Sequence, residues 1–380
     1  MAWQSDACRV AYIRVLDGVY FCAVTKGDIT GKFASTAAAG SSIAWNMANM
    51  TNVPEVDFSP FQGVDVPPPG TTFVPNEAQR AVGKQLREIL TTHGFVYAAG
   101  LVPSDVVAQA FATSRAFFSE STNREALQPL NPETNTGYGR MGGEALNARR
   151  ANDLKEVFNL RKAAFEPGAK AAQGTPEGFM PVATTIWEAC CRGALQALLA
   201  FGVALELENP AKFAQTIKTW DLTTMRMCHY PASPEKKDVD DASAIPCGEH
   251  TDFGAVTLLL LEDGAPGLEA RRPEGGWMPA HGKKNTILLN TGALLARWCN
   301  DRVKATPHRV VSTNNERYSI AFFCDPDSTE LVETLPEFAT TPGATGTPYP
   351  PITAGDFLLA CLNGSLKGQV GEEAKRTLVV

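Results

Sequence analysis

The stretch Gly248-Glu249-His250-Thr251-Asp252-Phe253-Gly254 puts an imidazole and a carboxylate two residues apart, just ahead of the apolar run Val256–Leu261. On an extended backbone, His250 and Asp252 project from the same face. Side by side they are two parts of a metal site, and a third ligand has to come from elsewhere. The chain has five histidines. His308 opens His308-Arg309-Val310-Val311, far enough beyond Asp252 for a strand, a turn and a return strand to bring it back. Two histidines and one carboxylate on one face of an Fe(II) ion leave its other positions open for dioxygen and substrate. Further on, Arg317 and Ser319 share a face of the strand-like run 317–323. A guanidinium and a hydroxyl at i and i+2 form a fork suited to a carboxylate.

This order of parts (His250-Thr251-Asp252, a distal His308, then Arg317-Tyr318-Ser319) resembles the 2-oxoglutarate/Fe(II)-dependent dioxygenases, in the branch of isopenicillin N synthase and the plant flavonoid and gibberellin oxidases. The likeness runs from 53 to 365. It opens at Val53-Pro54-Glu55-Val56-Asp57-Phe58-Ser59 and continues through His93-Gly94-Phe95, Gly137-Tyr138-Gly139-Arg140 and Asp153-Leu154-Lys155-Glu156. It resumes at Arg226-Met227-Cys228-His229-Tyr230-Pro231 and Gly267-Leu268-Glu269-Ala270. The resemblance implies a mainly β fold with flanking α-helices around a double-stranded β-helix (jelly-roll, cupin-like) core. It implies Fe(II) on His250, Asp252 and His308. It also implies 2-oxoglutarate with its far carboxylate on Arg317 and Ser319, Tyr230 within reach, and O2 as the second cosubstrate. The reaction implied is hydroxylation of a small-molecule metabolite, or desaturation or ring closure, with release of succinate and CO2. Phe253 and Phe323 flank the ligands, and with Tyr138 they are expected to line the substrate pocket. Two other readings stay open. One is an Fe(II) oxidase of the isopenicillin N synthase type that uses no 2-oxoglutarate. The other is a non-catalytic Zn(II)-binding protein on the same fold. One departure stands out: the family commonly has an Asp after the glycine at 292, and here Ala293 follows, which touches a turn more than the chemistry.

Composition narrows the classes. The chain has 380 residues, 44% hydrophobic and 20% charged, ordinary for a globular protein with a real core. A net charge of −7 gives no electrostatic case for nucleic acid or an anionic membrane. Nine scattered cysteines without a CxxC read as reduced thiols, so a cytoplasmic location is expected and organelle targeting is not favoured. No apolar stretch is expected to reach the ~20 residues of a membrane helix. The expected partner is a small molecule and the expected state a monomer.

The elements that must hold the ligands follow from pattern. Residues 1–49, with the low-complexity run Ala34-Ser35-Thr36-Ala37-Ala38-Ala39, are expected to be an unstructured extension. A helix-rich region fills 50–210, the β-helix domain 211–365 and a tail 366–380. Helices are expected over 76–90, from Ser104, and over 182–207, and a capping box at Thr353 opens a short terminal one. Strands are expected over 224–231, 256–261, 286–292 and 317–323. The segments 232–244 and 341–351 read as loops. His93 reads as a structural histidine at a helix-to-strand turn, His229 as pointing away from Tyr230, and His281 as exposed.

Overall fold

The computed structural model describes residues 10–16, 19–24, 52–119, 128–131, 133–144, 153–169, 174–232, 246–339 and 348–366. The runs 34–42 and 233–245, most of the 341–351 loop and the tail beyond 366 lie outside them. The chain divides into two units, 1–47 and 48–380. In the first, expected to be unstructured, β1 (Val10–Leu16) and β2 (Val19–Val24) pair antiparallel.

The second unit is built on two sheets. The larger takes β3 (Glu55–Asp57), β4 (Phe95–Ala99), β5 (Gly137–Gly139), β6 (Glu156–Arg161), β7 (Thr224–Tyr230), β9 (Val256–Leu261), β12 (Thr286–Thr291) and β14 (Arg317–Cys324), in the order β3-β4-β12-β9-β14-β7-β6-β5. The smaller runs β11-β10-β13-β8, from β11 (Trp277–Pro279), β10 (Leu268–Arg271), β13 (His308–Val310) and β8 (Cys247–His250). A short pair, β15 (Leu331–Val332) and β16 (Ile352–Thr353), lies apart. All pairings within the two sheets are antiparallel except β3 with β4. This is the double-stranded β-helix expected from the resemblance.

Strand alternation sorts the side chains into two cores. On β14, Tyr318, Ile320, Phe322 and Cys324 join Val256, Leu258 and Leu260 of β9, and Met225 and Met227 of β7, on the outer face of the large sheet. The helices α1 (Glu77–Thr92), α2 (Ser104–Ser119) and α3 (Phe179–Ala204) cover that face. The opposite residues, Cys228, Tyr230, Leu261 and Leu288, meet Cys247, Leu268, Met278 and Val310 of the small sheet in a second core between the sheets. Arg317 and Ser319 share the parity of this inner face.

The helices form where expected, with shifted ends. Asn76 caps α1 in a reciprocal box with Gln79. α3 begins three residues earlier than its pattern suggests. Contrary to the expectation that no stretch is long enough, its 26 residues suffice by length and composition to cross a membrane, but most of that stretch is buried in this fold. α4 (Ala293–Trp298) follows the Gly292 turn, and Thr353 caps α5 (Ala354–Leu366) by accepting from the Asp356 amide at 3.1 Å.

Candidate active site

The smaller sheet brings two of the three expected metal ligands together. His308 on β13 is the direct register partner of His250 on β8. Their ring centroids are 4.3 Å apart. The chain leaves β8 after His250, and Thr251-Asp252 turn toward β9. Asp252 Oδ1 comes to 3.8 Å from His250 Nε2 and 3.6 Å from His308 Nε2. The three ligand atoms lie within 4.8 Å of one another, the donor set of a facial triad.

Each ligand is oriented from behind. His250 Nδ1 lies 2.7 Å from the Gly248 carbonyl. A carbonyl only accepts, so Nδ1 carries the proton and Nε2 turns a lone pair toward the cluster. His308 Nδ1 faces the Thr306 carbonyl at 3.2 Å. Asp252 Oδ2 accepts from Thr257 Oγ1 at 2.5 Å and from Asn290 Nδ2 at 2.6 Å. Burial alone would raise the Asp252 carboxyl, but the two imidazoles and these hydrogen bonds hold it below its usual value. Burial also lowers His250, so a neutral imidazole is offered. The backbone turn is tied down by α4: Ala293 N donates to the Asp252 carbonyl at 2.8 Å. The alanine where the family commonly has Asp keeps that contact, because the main chain makes it.

Between the sheets, Arg317 is 3% exposed, and its Nε and Nη1 have no hydrogen-bond partner among the described residues. Leaving a buried guanidinium unpartnered is costly, so this is the group an incoming carboxylate would satisfy. Tyr230 pairs with Arg317 in register, and the guanidinium lies 4.8 Å from its ring centroid. Ser319 is 2% exposed.

A cavity of about 460 Å³ opens beside the ligands. His250, Asp252, Phe253, Phe323 and Tyr138 line it, together with Arg226, Glu144, Arg161 and Asp325, under Leu358, Leu359 and Leu362 of α5. Tyr138 turns its hydroxyl to Glu156 and gives the cavity its ring.

Much of this floor carries no local signal. Arg226 meets Glu144 with two contacts of 3.1 Å, and its Nε donates to Asn159 Oδ1 at 2.9 Å. Behind Glu144 lies Lys155, its Nζ 2.5 Å from Asp153 Oδ2. Burial would raise the Glu144 carboxyl, but Arg226 and Lys155 hold it low. Arg161 donates to the carbonyls of Thr134 and Leu222, while its buried Nε has no partner among the described residues. Asp325 accepts from Ala255 N at 2.9 Å; burial pushes its carboxyl up to about 7. It fits only because position 254 is glycine: a Cβ there would fall 1.8 Å from Asp325 Oδ1.

The remaining histidines lie outside this group. His93 is fully buried at the end of α1, and burial lowers its pKa. His229 sits between Glu156 and Glu316, 2.6 Å from each, and these carboxylates raise its pKa against the effect of burial. His281 is exposed.

Comparison with known proteins agrees with this geometry. Residues 223–326 match the model of the 2OG-Fe(II) oxygenase superfamily, and residues 53–177 match that of the non-haem dioxygenase N-terminal region named for morphine synthesis. The chain is 28% identical to the 2-oxoglutarate-Fe(II) type oxidoreductase hxnY of Emericella nidulans, over 86% of this chain and 95% of the relative. It is 31% identical to the proline hydroxylase buaE of Petromyces alliaceus, over 62% and 77%. A full-length Neurospora crassa protein, solved in complex with alpha-KG and thymine, superposes with a TM-score of 0.69 at 26% identity, covering 82% of this chain and 96% of that one.

Proposed function

The chain belongs to the 2OG-Fe(II) oxygenase superfamily and is a dioxygenase acting on small molecules; on that basis we propose the roles of its residues and the class of its substrate. Fe(II) is held by His250, Asp252 and His308. The far carboxylate of 2-oxoglutarate is taken by Arg317 with Ser319, over the ring of Tyr230. The observation that carries this assignment is the buried guanidinium of Arg317, whose Nε and Nη1 have no partner among the described residues, on the sheet face that looks inward. It also favours the dioxygenase over a protein that merely binds zinc, because a bare metal site gives no reason to bury such a group.

The donor set fits Fe(II), and the fork fits a dicarboxylate. When bound, iron and 2-oxoglutarate supply, with O2, the oxidising power that functionalises a C–H bond and releases succinate and CO2. The protein binds, orients and excludes water. Asp252 presents one oxygen to the cluster while Thr257 and Asn290 hold the other. Phe253, Phe323 and the α5 leucines give the cavity apolar walls.

The substrate is proposed to be a compact ring bearing polar atoms. The aromatic rings of Phe253, Phe323 and Tyr138 suit a ring face, while Arg226 with Glu144, Arg161 and Asp325 offers donors and acceptors to its edge. One relative is named as a proline hydroxylase and the Neurospora crassa structure holds thymine. Both compounds are small nitrogen heterocycles, which supports starting there. The test is succinate formation from 2-oxoglutarate across a panel of nitrogen heterocycles. A member that raises succinate well above the substrate-free rate, with its own mass increased by one oxygen, supports the reading. Stimulation only by long acyclic molecules would reject the ring.

A further inference from the structure

Lys155 stands just before β6, with its side chain 3% exposed. Its ammonium is 2.5 Å from Asp153 Oδ2, 3.9 Å from Glu144 Oε2 and 3.7 Å from Cys247 Sγ. Burial opposes its charge, but the Asp153 and Glu144 carboxylates around it keep it protonated; the Cys247 thiol is itself pushed up to about 12 by burial and stays neutral. Burying an ammonium with a carboxylate gives little net stability over an apolar pair, so the pair calls for a reason beyond packing.

Asp153 supplies one. It is as buried as Lys155. While Oδ2 meets the ammonium, Oδ1 accepts from the Gly248 amide at 3.0 Å. Gly248 then offers its carbonyl to His250 Nδ1 at 2.7 Å. Three contacts thus join a buried ammonium to an imidazole of the metal site. The weak link is Gly248, because glycine has the widest conformational freedom of any residue. If its carbonyl swings away, His250 Nδ1 loses its acceptor, and the ring is free to rotate or to carry its proton on Nε2, the nitrogen needed for the metal.

We propose that Lys155 is a positioning residue of the metal centre: through Asp153 and the Gly248 backbone it fixes the tautomer and ring orientation of His250. This rests on the reading of His250 as an iron ligand. The same ammonium faces Glu144, which holds Arg226 at the cavity floor, so one buried lysine serves both the metal and the substrate side.

The test is a Co(II) titration of the full chain, followed by the visible ligand-field bands, at a temperature where circular dichroism shows the protein fully folded. Lys155→Met is expected to weaken Co(II) binding about 10- to 100-fold, the range for losing an outer partner of a ligand, and to alter the bands. A purely structural role would lower the melting temperature and leave the affinity of the folded protein unchanged, which would overturn the proposal. Should Lys155→Met fail to fold, Lys155→Met with Asp153→Asn removes the carboxylate left stranded, since Glu144 keeps its pairing with Arg226. The same loss is expected there, because an unanchored amide no longer fixes Gly248, and wild-type affinity would again overturn the proposal. A wild-type chain that takes up no Co(II) would refute the metal site itself, a separate failure.

Discussion

Thr257 and Asn290 stand directly opposite each other across β9 and β12, and both donate to the same oxygen of Asp252. Oδ2 is thereby held by two neutral donors, and Oδ1 is left to face the two imidazoles. The pair turns a carboxylate into a one-oxygen ligand of fixed direction. Asn290→Ala is therefore expected to weaken Fe(II) binding by about 10- to 100-fold with the fold intact. Equilibrium binding of Fe(II) under anaerobic conditions checks this, and unchanged affinity would remove the pair from the site.

Arg317→Met takes away the guanidinium whose Nε and Nη1 lack a partner among the described residues, and leaves the proposed metal ligands alone. Charge-assisted hydrogen bonds are worth roughly 1.5–3 kcal/mol, so 2-oxoglutarate affinity should fall by about 10- to 100-fold while Fe(II) binding holds. Calorimetric titration of 2-oxoglutarate into the metal-loaded variant measures it. Equal affinity in variant and wild type would mean that the cosubstrate carboxylate sits elsewhere.

The residue pairs His250/Asp252 and Arg317/Ser319 are legible in the sequence because they are local, whereas His308 is reached only through the order and spacing of the whole motif. Arg317 and Ser319 are two residues apart on one strand, and alternation carries both to one face. His250 and Asp252 are as close in sequence, but Asp252 reaches the cluster through the turn that leaves β8. The runs at β9 and β14 read as strands because their outer residues are uniformly apolar. The cavity floor and the polar contacts behind it are not legible in this way. Glu144, Asp153, Lys155, Arg226 and Gly248 converge from four separate stretches, so no spacing reports them. Arg226 carried a hint, sharing strand parity with Tyr230, but its partner arrives from before β6. The α5 leucines read only as an apolar helix stripe, since nothing in a stripe says which cavity it roofs.

Arg226→Met should destabilise the protein. Glu144 would lose its bidentate partner at a site where both side chains are mostly buried, and stranding one member of a buried pair costs about 3–5 kcal/mol. Urea denaturation is the measurement. The double change with Glu144→Gln should recover much of the loss, and additive losses would show that the two residues do not act as a pair.

Asp325 predicts a pH dependence. Its folded pKa, about 7, lies above the ~3.9 of an unfolded aspartate. The folded state thus holds the proton more tightly. The stability this gives is fully present below pH ~4, is lost as pH rises toward 7, and stays lost above it. Asp325→Asn keeps the acceptor for Ala255 N without the titration. In metal-free protein its stability relative to wild type should climb between pH ~4 and ~7 and then level off, by up to ~4 kcal/mol. Parallel stability curves for the two proteins would contradict the raised pKa.

The central claim is that His250, Asp252 and His308 hold an Fe(II) ion beside a 2-oxoglutarate anchored on Arg317. The direct measurement is the anaerobic visible spectrum as Fe(II) and then 2-oxoglutarate are added. The result expected is a weak charge-transfer band that needs both additions, vanishes in His308→Ala, and in Arg317→Met requires more 2-oxoglutarate to appear. Iron that binds without any such band at saturating 2-oxoglutarate would contradict the claim and point to an oxidase that uses no 2-oxo acid.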